Sequence, residues 1–596
     1  MIVNPKKPGK VRVVWDAAAS VGGVSLNSVL LKGPDMLTSL QAVLYRYRQR
    51  EIAISGDIME MFHQVMIRPQ DRSAQWFLWR DHPSDPIEIY VMDVAIFGST
   101  CSPSSTQFVM NRNAEEYASE FPKAVVAIKE SHYVDDFLES VDTVDEAIQL
   151  ALDVKEVHEK GGFLIRHWMT NTPEVLRQIG EQNTKSVKSF TMDKGSEIER
   201  VLGMIWRPQE DVFSFSLTFR EDLRRLLEEC VVPTKRQLLS LVMSVFDPLG
   251  MVAPFVVHGK TIIQDVWRSG IAWDELIPAH IVPRWHQWVN LLGTLETIRV
   301  PRCYFPGYSS EAYSSLELHV FVDASISAYA AAAYFRVLDC GLVRCSLVGA
   351  KTKVAPLKLL SVPRLELQAA VIGTRLMKTI VKHHTLPIKR KVMWSDSSTV
   401  LNWLRADPRK YRQYVAFRVT EILEETEVDD LKFVPTRMNV ADEATKWGHG
   451  LCFEEHSRWF KGPEFLYRPE CNWPCDAIGR TTTEELRVIQ VRQQLPVETV
   501  LDFKRFSKWE RLLRTVTYVL RFGRKEKRRT ESMRGAIFSS EELRQAESTV
   551  VKLIQLSEYP KECGLLRRNK QASQDERIDK TVLCTSYLHF LIPLEL

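Results

Sequence analysis

Apolar residues recur along this chain with two periods, and each change of period marks an element. Glu51 to Ser55 (EIAIS) alternates, which predicts a strand ending at Gly56-Asp57. Residues 143–159 set Val144, Ile148, Leu152 and Val157 at helical spacing, and Gly161-Gly162 supply a C-terminal stop. Val201 to Trp206 (VLGMIW) is a continuous apolar run, as in a buried strand, and Lys235 to Trp273 turns helical with a break at Asp247-Pro248-Leu249-Gly250. Residues 131–140 (SHYVDDFLES) follow the apolar run Val125–Ile128 and continue into Phe137-Leu138. Apolar flanks on both sides predict a hairpin whose tip is Val134-Asp135-Asp136 and whose arms enter a core.

From about Leu316 to Gly448 the pattern describes a second globular unit. LELHVFVDAS (316–325) predicts a strand ending at Asp323, and Ala330–Arg336 a second strand after a tight turn. Residues 363–382 predict a long helix, and KVMWSDSSTVLNWL (391–404) a strand, an Asp and another helix. Residues 411–425 are helical in pattern, LKFVPT (431–436) is strand-like, and a last helix is expected to begin near Val440. That order suits a mixed sheet with helices on its faces.

Length and composition narrow the class. A chain of 596 residues, 45% hydrophobic and 26% charged, is globular and long enough for three or four domains. Net charge is only +4, so total charge does not point to nucleic acid; basic residues instead concentrate in residues 1–12 and 504–529. Ten scattered cysteines without a C-x-x-C pair fit a reducing compartment better than a disulfide scaffold. No secretory signal and no membrane-spanning stretch is read, and no membrane partner is expected.

Adjacent aspartates at a turn repel each other and are best tolerated in water or around a cation. Asp135 and Asp136, with Asp57 from a neighbouring strand end, would supply oxygen ligands for two divalent cations. In the second unit Asp323, Glu366, Asp396 and Asp442 come from four separate elements and would form a second site of this kind, able to activate water against a phosphodiester.

Motifs in this order resemble those of a known family. SGDIMEMFHQV (55–65) with YVDD (133–136) resembles the paired catalytic motifs of reverse transcriptases. FGSTCSPSSTQF (97–108) is similar to their template and nucleotide segment, KVRVVWDAAAS (10–20) to their basic fingers strand, and VLGMIW to their primer grip. HVFVDASISAYAAAAYF, PRLELQAAV, WSDSSTVLNW and NVADEA resemble the four motifs of ribonuclease H, although no His precedes the last of them. Residues 232–275, 357–376, 459–466, 509–524 and 539–555 resemble BEL/Pao long-terminal-repeat retrotransposons, and the likeness extends over about residues 2–565.

The resemblance implies a mixed α+β multidomain chain. A right-hand polymerase of fingers, palm and thumb is followed by a ribonuclease H-like mixed sheet with helices on both faces, then a mostly helical tail. The expected divisions are fingers and palm over 1–225 with truncated fingers, thumb and connection over 226–312, ribonuclease H over 313–448, and a linker with a truncated pre-integrase region over 449–596. Asp57, Asp135 and Asp136 would hold two Mg²⁺ (or Mn²⁺) for dNTP addition, and Asp323, Glu366, Asp396 and Asp442 two more for cleavage of RNA in a hybrid. Phe62 falls where the family blocks a ribose 2′-hydroxyl, Lys10 and Arg12 where it places cations over nucleotide phosphates, and Phe97, Gly98, Tyr133 and Gly203 within its substrate-binding motifs. RNA template, DNA primer, RNA–DNA hybrid and dNTPs are the implied partners. The protease and integrase of the parent polyprotein are expected but not seen. The family likeness implies cytoplasm and element-encoded virus-like particles. Two other readings stand beside this one: an inactive or repurposed remnant that binds nucleic acid, and a free-standing nuclease.

Overall fold

Alternation in EIAIS does produce a strand, but β1 runs over Ile52–Ile58 and carries Asp57 within it rather than beyond its end. In the computed structural model, β2 (His132–Tyr133) and β3 (Asp136–Val141) form a hairpin, β4 spans Ile165–Thr170, and the sheet order is β2-β3-β1-β4. The structure describes residues 2–3, 11–12, 14–181, 188–189, 202–217, 221–229, 231–307, 312–447, 456–475, 484–486, 502, 505–525 and 538–559. Residues 1–487 form one compact unit and 488–596 another.

Two expectations about local structure change. Apolar run Val125–Ile128 is not an arm of the hairpin; it lies in helix Pro122–Glu130, where Ala124, Val125, Ala127 and Ile128 are buried. Pro122 at the first turn starts that helix, and the buried positions fit a 3.6-residue repeat. Helix Val144–Lys160 forms where expected, with the Thr143 hydroxyl accepting from the Glu146 amide at 3.2 Å. Its buried face, however, is Ala147, Leu150, Ala151, Val154, Val157 and His158, while Leu152 is exposed. Two alanines and a histidine share the packed stripe with Leu150, Val154 and Val157, so of the expected positions it is Leu152 that falls outside it.

Strands Leu202–Arg207 and Val212–Leu217 pair antiparallel in a second sheet, extended by Val245–Phe246 on one side and Val300–Pro301 on the other. The helical stretch from Lys235 resolves into helices Lys235–Met243 and Ala253–Arg268 around the expected break. Two buried arginines join these parts. Arg302 donates to both Asp211 carboxylate oxygens at 2.6 and 2.8 Å and to the carbonyls of Tyr47, Arg50 and Glu51 at 2.5, 2.9 and 2.6 Å. Arg48 lies over the Tyr304 ring at 4.2 Å and donates to the carbonyls of Arg302 and Val348 at 3.1 and 2.9 Å.

Val348 belongs to a five-stranded mixed sheet. Its strands are β5 (Glu317–Ala324), β6 (Ala328–Asp339), β7 (Leu342–Val354), β8 (Arg390–Ser395) and β9 (Leu431–Phe433), in the order β7-β6-β5-β8-β9. β5, β6 and β7 are antiparallel neighbours, whereas β5, β8 and β9 run parallel. β7 was not anticipated, because its alternation is interrupted by glycine and charged residues. Helix Val362–His383 packs on the strands, with Gly373 close against Val322, and buries Leu365, Ala369, Ile372 and Leu376, as the long apolar period required. Residues 459–473 also join this core: Phe465 and Trp473 pack on Trp394, and the Tyr334 hydroxyl donates to the Trp459 carbonyl at 2.6 Å. In the second unit, helices Trp509–Lys525 and Ser540–Glu558 pack through Leu512, Val516, Ala546 and Val550. Among the described residues no helix is long and apolar enough to cross a membrane.

Replacing Arg302 with Met leaves the Asp211 carboxylate and three carbonyls without their buried donor. Loss of one partner of a buried pair costs roughly 3–5 kcal/mol, so the urea midpoint followed by tryptophan fluorescence is expected to fall clearly, with the slope of the transition retained.

Candidate active sites

The first carboxylate group is assembled by strand register. Asp57 on β1 lies directly opposite Asp136 on β3, and the Ile58 amide donates to the Asp135 carbonyl at 2.8 Å. Tyr133 pairs with Asp136 across the hairpin, so Val134 and Asp135 form the tip. Val134 holds a φ of +55°, which a β-branched residue adopts only under strain. Asp136 is buried, whereas Asp57, Tyr133 and Asp135 are half-buried. Gly56 leaves no space for a side chain, since a Cβ there would sit 2.4 Å from Ile165 of β4. Behind the hairpin, His132 and His158 are fully buried with their Nε2 atoms 3.0 Å apart. Burial pushes the His158 imidazole down to about 3, so that ring is neutral, and its contact with His132 ties the hairpin to helix Val144–Lys160.

The neighbouring segment is fixed from two sides. Phe62 packs against Phe97, ring centroids 4.8 Å apart. Trp15 donates its amide to the Phe97 carbonyl at 3.0 Å, and Asn27 bridges the Gly98 carbonyl and the Thr100 amide at 2.9 Å each. Gly98 has a φ of +105°, and a Cβ would fall 2.0 Å from the Trp15 carbonyl oxygen, so only glycine fits. Trp15 and Asn27 were not singled out from the sequence; nothing in their spacing signals a role. Arg12 lies in strand Val11–Arg12, paired with Ile2–Val3, and Gly203 in strand Leu202–Arg207 opposite Ser216. Lys10 lies outside the described residues.

In the mixed sheet, Asp323 is the penultimate residue of β5 and Asp396 follows β8 directly; these strands are parallel neighbours, with Val322 opposite Ser395. Their carboxylates therefore emerge together at the C-terminal ends. Asp442 does not open a regular helix. It lies in a five-residue 3₁₀ turn, Val440–Ala444, where Asn439 accepts from the Ala441 amide and donates to the Val322 carbonyl at 3.0 Å. One oxygen each from Asp323, Asp396 and Asp442 falls within 4.8 Å of the others. Glu366, in the first turns of helix Val362–His383, reaches the same end through a hydrogen bond from the Ser397 hydroxyl.

Each acid is oriented by a residue the motif reading passed over. Thr445 donates its hydroxyl to Asp323, Thr436 to Asp396 at 2.7 Å, and Lys446 its ammonium to Asp442 at 2.7 Å. Such outer contacts fix the direction of ligand oxygens. Burial, reinforced by the Asp442 and Asp396 charges, pushes the Asp323 carboxyl up to about 8. Burial likewise raises Asp442 and Glu366. Like charges held this close in a shielded place call for a hard cation, and an all-oxygen donor set fits Mg²⁺ or Mn²⁺.

Residues 234–397 match the family described as Pao retrotransposon-like RNaseH-like domain. The match takes in Asp323, Glu366 and Asp396, whereas Asp442 lies beyond it. Among solved structures, the chain is similar to a foamy viral protease–reverse transcriptase in complex with double-stranded DNA, at 14% identity and a TM-score of 0.45, over 73% of this chain and 64% of that one. It is also similar to a foamy viral protease–reverse transcriptase in complex with RNA/DNA hybrid, at 13% identity and a TM-score of 0.44, over 73% of this chain and 50% of that one. The chain thus spans less than two thirds of the length of either. No curated protein matches the sequence. The mixed α+β fold is borne out, and so is the resemblance read from the motifs, through residues 234–397, which match a Pao retrotransposon-like RNase H-like domain.

Proposed function

We propose that the chain is an RNA-directed DNA polymerase joined to a ribonuclease H, of the BEL/Pao kind. The observation that carries this reading is the convergence of Asp323, Glu366 and Asp396, within the residues that match an RNase H-like domain, with Asp442 beyond them. The register that pairs Asp57 with Asp136 beneath a strained Asp135 tip supports a polymerase site in the same chain. The proposed divisions are fingers and palm over 1–225, thumb and connection over 226–312, ribonuclease H over 313–448 and the tail over 449–596.

Divalent cations, two in each site when bound, would activate the attacking oxygen and stabilise the leaving one. In the polymerase site Asp57, Asp135 and Asp136 are the residues that would hold them for dNTP addition to a primer 3′-hydroxyl. Phe62, held by its contact with Phe97, blocks a ribose 2′-hydroxyl. In this reading the Gly98 backbone and Tyr133 serve the nucleotide and template side, Lys10 and Arg12 would supply cations for the phosphates, and Gly203 would support the primer strand. In the second site Asp323, Glu366, Asp396 and Asp442 would hold the cations for cleavage of the RNA strand of a hybrid. Recognition there runs through phosphates, groove shape and 2′-hydroxyls rather than base sequence. As for location, cytoplasm and element-encoded particles belong to the same proposal.

The two sites are separable by substitution. Asp135→Asn is expected to abolish extension of a DNA primer on RNA and to spare hybrid cleavage, and Asp396→Asn to do the reverse; if neither variant altered either activity on gels, the assignment would be wrong. Phe62→Ala is expected to raise incorporation of ribonucleotides relative to deoxynucleotides at least tenfold or so, read from paired single-nucleotide kinetics, consistent with loss of a steric contact worth about 1.4 kcal/mol or more. The raised Asp323 carboxyl gives a third outcome. A folded-state value of about 8, above the usual carboxylate range, means that the folded chain holds this proton more tightly than the unfolded one. Stability from this group is therefore full at acid pH and is lost as pH rises from about 4 to about 8, by at most about 1.4 kcal/mol per unit. Melting curves in EDTA should show Asp323→Asn gaining on the wild type across that window, and added Mg²⁺ should shrink the difference.

A further inference from the structure

Lys446 has no place in the chemistry so far beyond steadying Asp442. Its ammonium nitrogen lies 2.7 Å from Asp442 Oδ1 and 3.5 Å from Asp323 Oδ1, so one cation touches two of the three clustered carboxylates. An ordinary surface ion pair joins two solvated groups. Here the Asp323 side chain is 2% exposed and the Asp442 side chain 14%, while the Lys446 side chain is 46% exposed. The lysine thus reaches from solvent into a shielded acidic pocket, four residues after Asp442, with its own amide bonded to the Asp442 carbonyl at 2.9 Å. Ammonium and a divalent ion need the same oxygens.

We propose that Lys446 is a built-in counter-cation that competes with a divalent ion for Asp323 and Asp442, and so couples ion binding to nucleic-acid binding. This rests on reading the site as the ribonuclease H centre. With the ammonium on the carboxylates, an ion entering alone displaces a favourable pair. When a hybrid is present, its backbone phosphate offers the displaced ammonium a new anion and offers the ion another oxygen. Coupling of this kind is reciprocal: the ion strengthens strand binding as much as the strand strengthens ion binding. Lys446 is a positioning residue by this account, and a flexible point charge suits exchange between anions better than a bidentate guanidinium.

Mn²⁺ binding to the full chain, followed by loss of the free-ion electron paramagnetic resonance signal, tests this directly. An Asp135→Asn/Asp136→Asn background removes the polymerase ligands, and a hybrid with 2′-O-methyl RNA prevents cleavage. Lys446→Met is expected to bind Mn²⁺ about tenfold more tightly without hybrid, within the usual span of coupling between sites. Hybrid should tighten Mn²⁺ binding markedly in the Lys446 chain and little in Lys446→Met, with Lys446→Arg in between. Unchanged or weaker Mn²⁺ binding by Lys446→Met, or equal tightening by hybrid in both, would overturn the proposal; so would Mn²⁺ binding that Asp396→Asn leaves intact. Should the ion shifts appear while the unmodified chain cleaves no hybrid, the coupling stands and the ribonuclease reading falls.

Discussion

Everything in the first compact unit hangs on two buried guanidinium groups. Arg48 and Arg302 are fully buried, and between them they hold carbonyls from the segment before β1, from the Val300–Pro301 strand and from β7. Asp211 is the carboxylate that Arg302 meets at 2.6 Å. Burial opposes the charge of Arg302 and the Asp211 carboxylate restores it, while burial lowers Arg48 and the Tyr304 and Tyr45 rings work against that loss. Planar donors with fixed directions tolerate little displacement. The sheet bearing Asp57 and the sheet bearing Asp323 are thereby tied to one polar centre, beside the apolar core in which Tyr45, Leu138, Val320 and Leu347 are buried together.

The two acidic groups are built on different principles. Around β1 the carboxylates depend on antiparallel register and on a strained tip, with the buried His132–His158 contact behind them. Around β5 and β8 they depend on parallel strand ends, a helix and a 3₁₀ turn, and each is held by a hydroxyl or ammonium donor. Oxygen donors held apart from solvent by their neighbours are preorganised for a hard cation. The match of residues 234–397 to a Pao retrotransposon-like RNase H-like domain agrees with that donor set.

Legibility in the sequence followed how much of a role each residue carries by type alone. Asp135 and Asp136 stood out as paired carboxylates between apolar flanks, and the other five acids through the motifs they sit in; most of the strands and helices around them fell close to their expected places. Ser397, Thr436, Thr445 and Lys446 did not, because hydroxyls and lysines are common surface residues until distances give them work. Trp15 and Asn27 escaped for a similar reason: their partners lie some 70 to 80 residues away. The inner face of helix Val144–Lys160 was misjudged because Ala147 and Ala151, too small to stand out, pack where larger residues were sought. Asp442 was expected on a helix, but the short turn around Asn439 is set by a long-range bond to Val322 that no local pattern encodes.

Parallel pairing of β5 with β8 has one more consequence. Successive side chains on a strand face opposite ways, so gaining or losing a single residue upstream in either strand would turn Asp323 or Asp396 to the far face of the sheet. Exchanging one apolar residue for another along the same strands leaves that direction untouched. What this centre guards most closely is thus the count of residues between sheet entry and carboxylate, and a one-codon slip is more damaging to it than many missense changes.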